Sequence, residues 1–217
     1  MIAHSGGARG TDSFLSDIFS QHKYNVIHHS FKDRVCYNNT GKIIIHSQKE
    51  LDKQESILDK LCHHVIRTKP KKQYVKNLLL SSIFQVKDSE LIIGVGEIQN
   101  FKRGIIKSGT GYPVAYGILN KIPILFLDQV KEEWYYSLEG SSFEKMPRKP
   151  LVHKLPKNIT ITGTKDLTID AMKELRNCFS KRTSNVQVCS HNNGYYQAGF
   201  KQANSPAVCK SISIFIV

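Results

Sequence analysis

The stretch that decides the fold is His4-Ser5-Gly6-Gly7-Ala8-Arg9-Gly10-Thr11-Asp12-Ser13. It follows a short apolar segment that begins at Ile2, and apolar residues at helical spacing come after it, from Phe14 to Phe19. Glycines between a strand and a helix allow backbone N–H groups to approach an anion at the helix N-terminus. The stretch therefore predicts a strand, a phosphate-binding turn and a helix. Asp12 or Ser13 is expected to cap that helix.

Strand and helix patterns alternate outward from this turn. Compact apolar runs at Tyr24 to His29, Leu91 to Val95 and Pro123 to Leu127 are typical of strands covered on both faces. Helical faces are predicted at Ser47 to Val65, Gln73 to Val86 and Ile169 to Phe179, and the other predicted elements are a strand or helix start at Ile43 to Ile45, a hairpin at Trp134 to Glu144 and a strand at Ile159 to Thr164. The alternation predicts an α/β, Rossmann-like fold: an open, mostly parallel sheet with helices on both faces and a small β-hairpin.

A second glycine turn, Ser108-Gly109-Thr110-Gly111-Tyr112, lies between a polar loop from Gly96 to Ser108 and a helix that starts near Pro113. Two such turns at the carboxyl ends of parallel strands suggest one shared ligand site. The glycines permit close approach of the backbone to a ligand, and the hydroxyls of Ser5, Ser108 and Thr110 can hydrogen-bond to it. Arg9 either offers the ligand a charge-assisted hydrogen bond or is an exposed charge in the turn. The predicted ligand-binding residues are Ser5, Gly6, Gly7, Arg9, Gly10, Asp12, Gly94, Ser108, Gly109, Thr110, Gly111 and Tyr112.

The composition is strongly basic, with 31 Lys and Arg against 18 Asp and Glu and a formal net charge of +13 in 217 residues. Such a charge favours polyanionic partners, nucleic acid included, or reflects a lysine-rich composition. The length fits one domain, predicted over residues 1–183, and a polar C-terminal extension over 184–217. The extension ends in Ile212 to Val217, either an edge strand or an unpaired apolar tail.

No metal site or cofactor is predicted. The five cysteines are widely spaced without a C-x-x-C pair, and the spacing of Cys189, His191 and Cys209 matches no zinc pattern. Neighbouring histidines such as His28 and His29 diverge in a strand. No signal peptide or membrane-spanning stretch is found, so a cytoplasmic protein without membrane contact is expected.

Three motifs occur together in this order: the first glycine turn, Phe84-Gln85-Val86, and Gly109-Thr110-Gly111. With Asp128-Gln129, Trp134 and Gly163-Thr164-Lys165, they resemble the SLOG superfamily of Rossmann-like domains. That group includes the DNA-processing protein DprA and the lonely-guy cytokinin-activating hydrolases. The resemblance extends from about Ile2 to Phe179 and is greatest to small bacterial and phage members.

The resemblance implies a nucleotide or nucleotide derivative held between the two turns, and a homodimer like that of many relatives. Lonely-guy hydrolases carry the signature P-G-G-x-G-T-x-x-E, whose glutamate is thought to act on the ribose. In this chain Thr110 is followed by Gly111-Tyr112-Pro113-Val114, so the carboxylate is missing. A nucleotide-binding module, as sensor or sequestering protein, is therefore predicted ahead of an enzyme.

Two alternatives remain open. One is a nucleoside 5′-monophosphate N-glycosidase that uses Asp12, Glu90 or Glu97 as its acid. The other is DprA-like binding of single-stranded DNA, for which the net charge of +13 is the motive. The small relatives also carry an arginine and an aromatic residue before the Phe-Gln-Val motif. Ser81, Ser82 and Ile83 stand there in this chain, which removes one expected phosphate contact.

Overall fold

A computed structural model describes residues 1–38, 40–138, 140, 142–152, 155–179 and 214–216 of the chain, with residues 151–152 and 214–216 described by their backbone. The helices are α1 (Thr11–Gln21), α2 (Gln48–Asp52), α3 (Glu55–His64), α4 (Gln73–Val86), α5 (Gly111–Leu119) and α6 (Ile169–Phe179). The strands are β1 (Ile2–Ser5), β2 (Asn25–Phe31), β3 (Lys42–His46), β4 (Leu91–Gly96), β5 (Ile98–Asn100), β6 (Ile105–Ile106), β7 (Ile124–Asp128), β8 (Glu133–Ser137), β9 (Glu144–Lys145), β10 (Pro150–Val152), β11 (Asn158–Gly163) and β12 (Ile214–Ile216).

The main sheet has the strand order β3-β2-β1-β11-β4-β7-β8-β9. Its pairings are parallel from β3 to β7, and β8 and β9 are antiparallel to their neighbours. All six residues of β4 are buried, as expected for a central strand with helices on both sides. The predicted Rossmann-like α/β fold is confirmed, and the predicted hairpin forms β8 and β9 at one edge.

The two faces of the sheet carry separate apolar cores because side chains alternate along each strand. One core joins Leu15 and Phe19 of α1 and Leu175 of α6 to Ile93 of β4. On the opposite face, α3, α4 and α5 pack through residues that include Leu58, Leu80 and Ala115. The candidate ligand site lies on this second face, at the side of α4 and α5.

Strand β11 comes late in the chain but lies at the centre of the sheet, between β1 and β4. Its register places Ile159 beside Ala3 and Ile161 beside Ile93. Just beyond its end, the carbonyl of Thr164 accepts a hydrogen bond from Thr11 N at 3.0 Å, and Thr164 N donates to the carbonyl of Val95, also at 3.0 Å. The ends of β1 and β4 are thus tied together through β11.

Two predicted segments differ from the structure. The helix expected over Ser47 to Val65 is divided into α2 and α3, and a capping box between Ser47 and Glu50 starts the short α2. The polar loop expected from Gly96 to Ser108 contains the antiparallel pair β5 and β6. The segment around Ile43 to Ile45, for which two conformations were open, is the edge strand β3.

Near the C-terminus, β12 pairs with β10 in antiparallel register, with Ile216 beside Pro150. The predicted boundary between residues 183 and 184 lies outside the described residues, as do Cys189, His191 and Cys209. Within the described part of the chain, no helix is long and apolar enough to cross a bilayer. The same residues include no group of three or more His, Cys, Asp and Glu side chains placed to hold a metal.

Candidate ligand site at the carboxyl edge of the sheet

The first glycine turn connects β1 to α1 at the carboxyl edge of the sheet. Gly7 and Gly10 have φ angles of +64° and +76°, which favour glycine. A Cβ on Gly10 would lie 2.4 Å from the carbonyl oxygen of Lys165. Gly10 is therefore required for packing against the segment after β11, whether or not a ligand is bound.

Asp12 occupies the position that an anion was expected to take. Its Oδ2 atom accepts hydrogen bonds from Gly6 N at 3.1 Å and from Ala8 N at 3.3 Å. Gly7 N donates to Ser5 Oγ at 3.0 Å. Burial raises the pKa of Asp12 to about 6, although these N–H groups and the charge of Arg34 act in the opposite direction. The amides of Gly6, Gly7 and Ala8 are thus bonded within the protein itself.

The expectation that Asp12 or Ser13 caps α1 is wrong. The N-cap residue is Gly10, which makes no side-chain capping hydrogen bond, and Asp12 is already inside the helix. The hydroxyl of Ser13 donates to the carbonyl of Ala8 at 2.7 Å. The carboxylate of Asp12 instead folds back over the turn, because the amides of Gly6 and Ala8 are the donors it can reach.

Three polar side chains converge on Gly6. A Cβ at this position would lie 2.3 Å from Gln85 Nε2, 2.9 Å from Asp12 Oδ2 and 3.2 Å from Arg34 Nη2. The other terminal nitrogen of Arg34, Nη1, donates to the carbonyl of His29 and to Ser81 Oγ, both at 3.2 Å. We call Gly6, Asp12, Arg34, Ser81 and Gln85 the Gly6 cluster. Its glycine leaves room for a carboxylate, an amide and a guanidinium side by side.

The inner face of α4 supplies part of this cluster. Asn77, Ser81 and Gln85 follow one another at a spacing of four residues and are only 8%, 0% and 4% exposed. Buried polar groups in an otherwise apolar helix are costly unless they are paired. Asn77 pairs with Gln48 of α2, and Ser81 pairs with Arg34 and with the carbonyl of Leu78.

Sequence reasoning missed Arg34 and the position of Gln85. Arg34 lies in a turn-rich segment after β2 that has no periodicity, so nothing in the pattern connects it to Gly6. Gln85 is part of the quoted Phe-Gln-Val motif, and its burial within an apolar helix is the one available signal. The guanidinium of Arg34 reaches Ser81, which lies in the segment Ser81 to Ile83 where the resemblance implied an arginine and an aromatic residue.

The second glycine turn has a different character. Ser108 is in the left-handed region with φ +64°, and a Cβ on Gly109 would meet nothing within 4 Å. Thr110 is the N-cap of α5 and makes no side-chain capping hydrogen bond. Gly111 N and Tyr112 N bond to the carbonyls of Ser108 and Gly109. The described residues offer no acceptor to the N–H groups of Gly109 and Thr110.

Arg67 holds this second turn in place. Its Nη1 atom donates to the carbonyl of Ser108 at 2.6 Å, and Nη2 donates to the carbonyl of Ile106 at 3.2 Å. The same guanidinium carbon lies 6.0 Å from the ring centroid of Tyr112. A cation thus fixes the carbonyls of the turn next to the amino end of α5, where the helix dipole also favours an anion.

Three of the predicted ligand-binding residues lie in the core. Gly94 is buried in β4, where a Cβ would come within 2.6 Å of the Phe126 ring. Gly111 is packed against the carbonyl of Ile106, which would lie 2.7 Å from a Cβ. Tyr112 is buried beside Cys62 of α3, and burial raises the pKa of its hydroxyl. The structure explains these residues by packing.

The remaining residues lie at the carboxyl edge. Ser5 to Gly10 follow β1, and Ser108 to Thr110 come before α5, which packs on the α4 side of the sheet. Arg9 is exposed, with its guanidinium carbon 5.7 Å from the ring centroid of Tyr37. Both turns are thus on the same edge, and the Gly6 cluster is on the same face as α5.

The three candidate acids are not equivalent. Glu90 precedes β4, where its amide bonds to the carbonyl of Asn158, so it lies at the amino edge, opposite the glycine turns. Its expected place near the site is wrong. Glu97 follows β4 and forms an ion pair with Lys107 at 2.6 Å. Of the three acids, Asp12 alone belongs to the Gly6 cluster.

A shallow depression of about 490 Å³ lies at the amino edge, lined by residues that include Ile2, Tyr24, Asn25 and Lys42. None of the predicted ligand-binding residues lines it. Open parallel sheets bind their ligands at the carboxyl ends of the strands. The free amides before α5 and the Gly6 cluster therefore form the better candidate site.

Comparisons of the chain with protein-family models, with curated proteins and with solved structures yield no significant match.

Proposed function

We propose that this protein is a SLOG-like binding module that holds a nucleotide by a phosphate at the amino end of α5. The observation that carries the proposal is the pair of N–H groups at Gly109 and Thr110, for which the described residues offer no acceptor. Backbone amides at a helix N-terminus bind phosphate well because the amides and the helix dipole act together. The open space around Gly109 leaves room for a phosphate.

This proposal gives the two turns different roles. The second turn binds the phosphate, since the amides of Gly109 and Thr110 have no acceptor among the described residues and the space around Gly109 is open. In the first turn, the amides of Gly6 and Ala8 bond to Asp12. The polar side chains of the Gly6 cluster lie beside this turn and form one side of the proposed site. The nucleotide lies along the carboxyl edge between them.

One observation favours a second candidate, the nucleoside 5′-monophosphate N-glycosidase. Asp12 has a pKa of about 6 and lies beside Arg34, so it changes protonation state close to neutral pH, as a general acid or base does. Release of free adenine from AMP that is lost in Asp12→Asn would support this activity. No release at high protein concentration would reject it.

Calorimetry with AMP, ADP, cyclic nucleotides and ADP-ribose tests the binding proposal. Gly109→Asp places a carboxylate beside the free amides and is expected to weaken binding at least tenfold. Gly109→Ala is the matched control, because its Cβ meets nothing within 4 Å and it should bind like the wild type. Equal affinities of the two variants, or no binding by the wild type, would overturn the proposal. Binding of unrelated single-stranded oligonucleotides with a steep salt dependence would favour the DNA alternative.

A further inference from the structure

We infer that His4, His29 and His46 form a proton-transfer row, in which the three imidazoles share one tautomer and a proton that enters at one end leaves at the other. One histidine comes from each of β1, β2 and β3. None of the three belongs to the Gly6 cluster or to the second glycine turn, so the histidine row does not depend on the proposed function.

The four ring nitrogens that join the row face each other directly. His4 Nδ1 lies 2.9 Å from His29 Nε2, and His29 Nδ1 lies 3.0 Å from His46 Nε2. The ring centroids are 5.2 Å and 5.3 Å apart, close to the greatest separation that these nitrogen distances allow. Each pair of nitrogens therefore lies on the line between the ring centres, along which a ring N–H or a nitrogen lone pair points.

This connectivity permits two arrangements of protons in the neutral row. A neutral imidazole has one N–H donor and one acceptor nitrogen, and each contact needs one proton. If His29 donates from Nδ1, then His46 accepts at Nε2 and His4 donates from Nδ1, so all three histidines are protonated on Nδ1. If His29 donates from Nε2, all three are protonated on Nε2 by the same reasoning. The tautomer of one histidine thus fixes the other two.

Packing keeps the rings in place. His4, His29 and His46 are 9%, 6% and 7% exposed. The ring of Phe84 on α4 stacks on His46, with a centroid distance of 3.9 Å and an interplanar angle of 18°. Rings held in this way exchange tautomers by moving protons along the row, because turning over would break both the packing and the hydrogen bonds.

The two outer nitrogens, His4 Nε2 and His46 Nδ1, make no hydrogen bond to the described residues, and neither is a fully buried atom without a partner. Water can therefore reach both ends. When a proton binds to His46 Nδ1, the Nε2 proton of His46 moves to His29 Nδ1, and the Nε2 proton of His29 moves to His4 Nδ1. His4 then releases its Nε2 proton to water. One proton enters and one leaves, so the row changes tautomer without a change in charge.

The charged groups around the row keep it neutral near pH 7. Burial lowers the pKa of all three histidines, Lys87 acts in the same direction at each, and His28 adds to the effect at the central one. Asp88 opposes it at the β1 end of the row, and Glu50 opposes it at the β3 end. The neutral row is the form in which the tautomers are coupled.

NMR of the full chain labelled with ¹⁵N-histidine, at pH 7.5, identifies the protonated nitrogen of each ring. We expect the populations of the two tautomers to be equal at His4, His29 and His46 at each of two temperatures, and to exchange at one rate. His63, at an exposed position on α3, is the internal control and should have its own populations. Opposite tautomers within the row, or different exchange rates at its two ends, would overturn the inference.

Asp88→Asn tests the coupling over distance, because Asp88 acts on His4 and not on the other two histidines. The tautomer ratio should change by the same factor at His4 and at His46. Asp166→Asn, which removes an exposed charge elsewhere, is the matched control and should leave both ratios unchanged.

His29→Phe in the Asp88→Asn protein should confine the change to His4. If that double variant does not fold, the comparison of His4 with His46 in Asp88→Asn decides the question. A change at His4 that does not reach His46, or one fixed tautomer that responds neither to temperature nor to Asp88→Asn, would overturn proton transfer along the row. Either result leaves the proposed function standing.

Discussion

Asp12 Oδ2 accepts a hydrogen bond from Gly6 N at 3.1 Å, and the glycine turn that follows β1 is thereby bonded to a carboxylate of its own chain. A sequence motif that predicts phosphate binding is thus folded around an internal anion. The proposed function therefore assigns the phosphate to the amides of Gly109 and Thr110 before α5, and the polar groups around Gly6 to the rest of the ligand.

The internal carboxylate predicts a pH-dependent stability. Burial raises the pKa of Asp12 from 3.8 to about 6, so the folded state binds more protons than the unfolded state between these pH values. The contribution of Asp12 to stability is therefore greatest in acid and decreases as pH rises through 6. Asp12→Asn removes this effect, because an amide oxygen can still accept from Gly6 and Ala8 but does not ionise.

The measurement is the free energy of unfolding in urea from pH 4 to pH 8. The value for Asp12→Asn minus that for the wild type should increase by about 2 kcal/mol between pH 4 and pH 7. A difference that does not change with pH would contradict this assignment. Asp12→Ala, which leaves two buried amides without an acceptor, should be destabilised at every pH.

A row of three buried histidines crosses the sheet beneath α4 and predicts the opposite dependence. His4 Nδ1 and His29 Nε2 are 2.9 Å apart, and His29 Nδ1 and His46 Nε2 are 3.0 Å apart. Burial, together with the neighbouring histidines and Lys87, lowers the pKa of His29 to about 3. The unfolded state therefore binds a proton more readily, and the stability contributed by neutral His29 is lost as pH falls below about 6.5.

Urea unfolding at pH 6.5 and pH 5 tests this row. The wild type should lose between about 1 and 2 kcal/mol through His29 over that interval, and His29→Gln should lose correspondingly less. An equal loss in both proteins would show that His29 is not the residue responsible. His63→Gln, at an exposed position on α3, serves as the control and should follow the wild type.

The glycines of the two turns should respond differently to alanine. Gly10→Ala forces a Cβ to within 2.4 Å of the Lys165 carbonyl at a φ of +76°, so a loss of more than about 2 kcal/mol is expected. Gly109→Ala should change the unfolding free energy by less than about 0.5 kcal/mol. Similar losses in both variants would mean that the turns are not packed as described.

Arg67 should affect binding without affecting ligand preference. Arg67→Lys loses the two-carbonyl contact with Ser108 and Ile106, which loosens the turn before α5. Affinities for AMP and ADP are expected to fall together by about three- to tenfold, an effect of about 1 kcal/mol. A change in the ratio of the two affinities would contradict this expectation, because Arg67 supports the turn that binds the phosphate common to both nucleotides.

The fold was largely predictable from sequence because it depends on local patterns. The apolar run from Leu91 to Val95 predicts a strand, and the helical spacing of apolar residues from Gln73 to Val86 predicts a helix. Neither prediction needs information from another part of the chain. The central position of β11 was not predictable, because strand order depends on pairings between distant segments. The sequence from Ile159 to Thr164 is equally compatible with an edge strand and with a central strand.

The candidate site was predictable only in outline. Ser5, Gly6 and Ser108 to Thr110 were placed at the carboxyl edge by their motifs. The glycine motifs predict that these residues leave space for a ligand. At Gly10, Gly94 and Gly111 glycine is instead required because neighbouring protein atoms leave no space for a Cβ. Arg34 approaches Gly6 from the loop after β2, and a contact between segments so far apart in the chain cannot be predicted from local sequence.

The most direct test of the central claim is an amide NMR titration of the protein with AMP and, separately, with adenosine. We predict that AMP shifts the backbone amide signals of Gly109 and Thr110, and that adenosine, which lacks the phosphate, does not. The amides of Gly6 and Ala8, already bonded to Asp12, should shift less. Unchanged Gly109 and Thr110 signals at saturating AMP, or equal shifts with adenosine, would contradict a phosphate site at the amino end of α5.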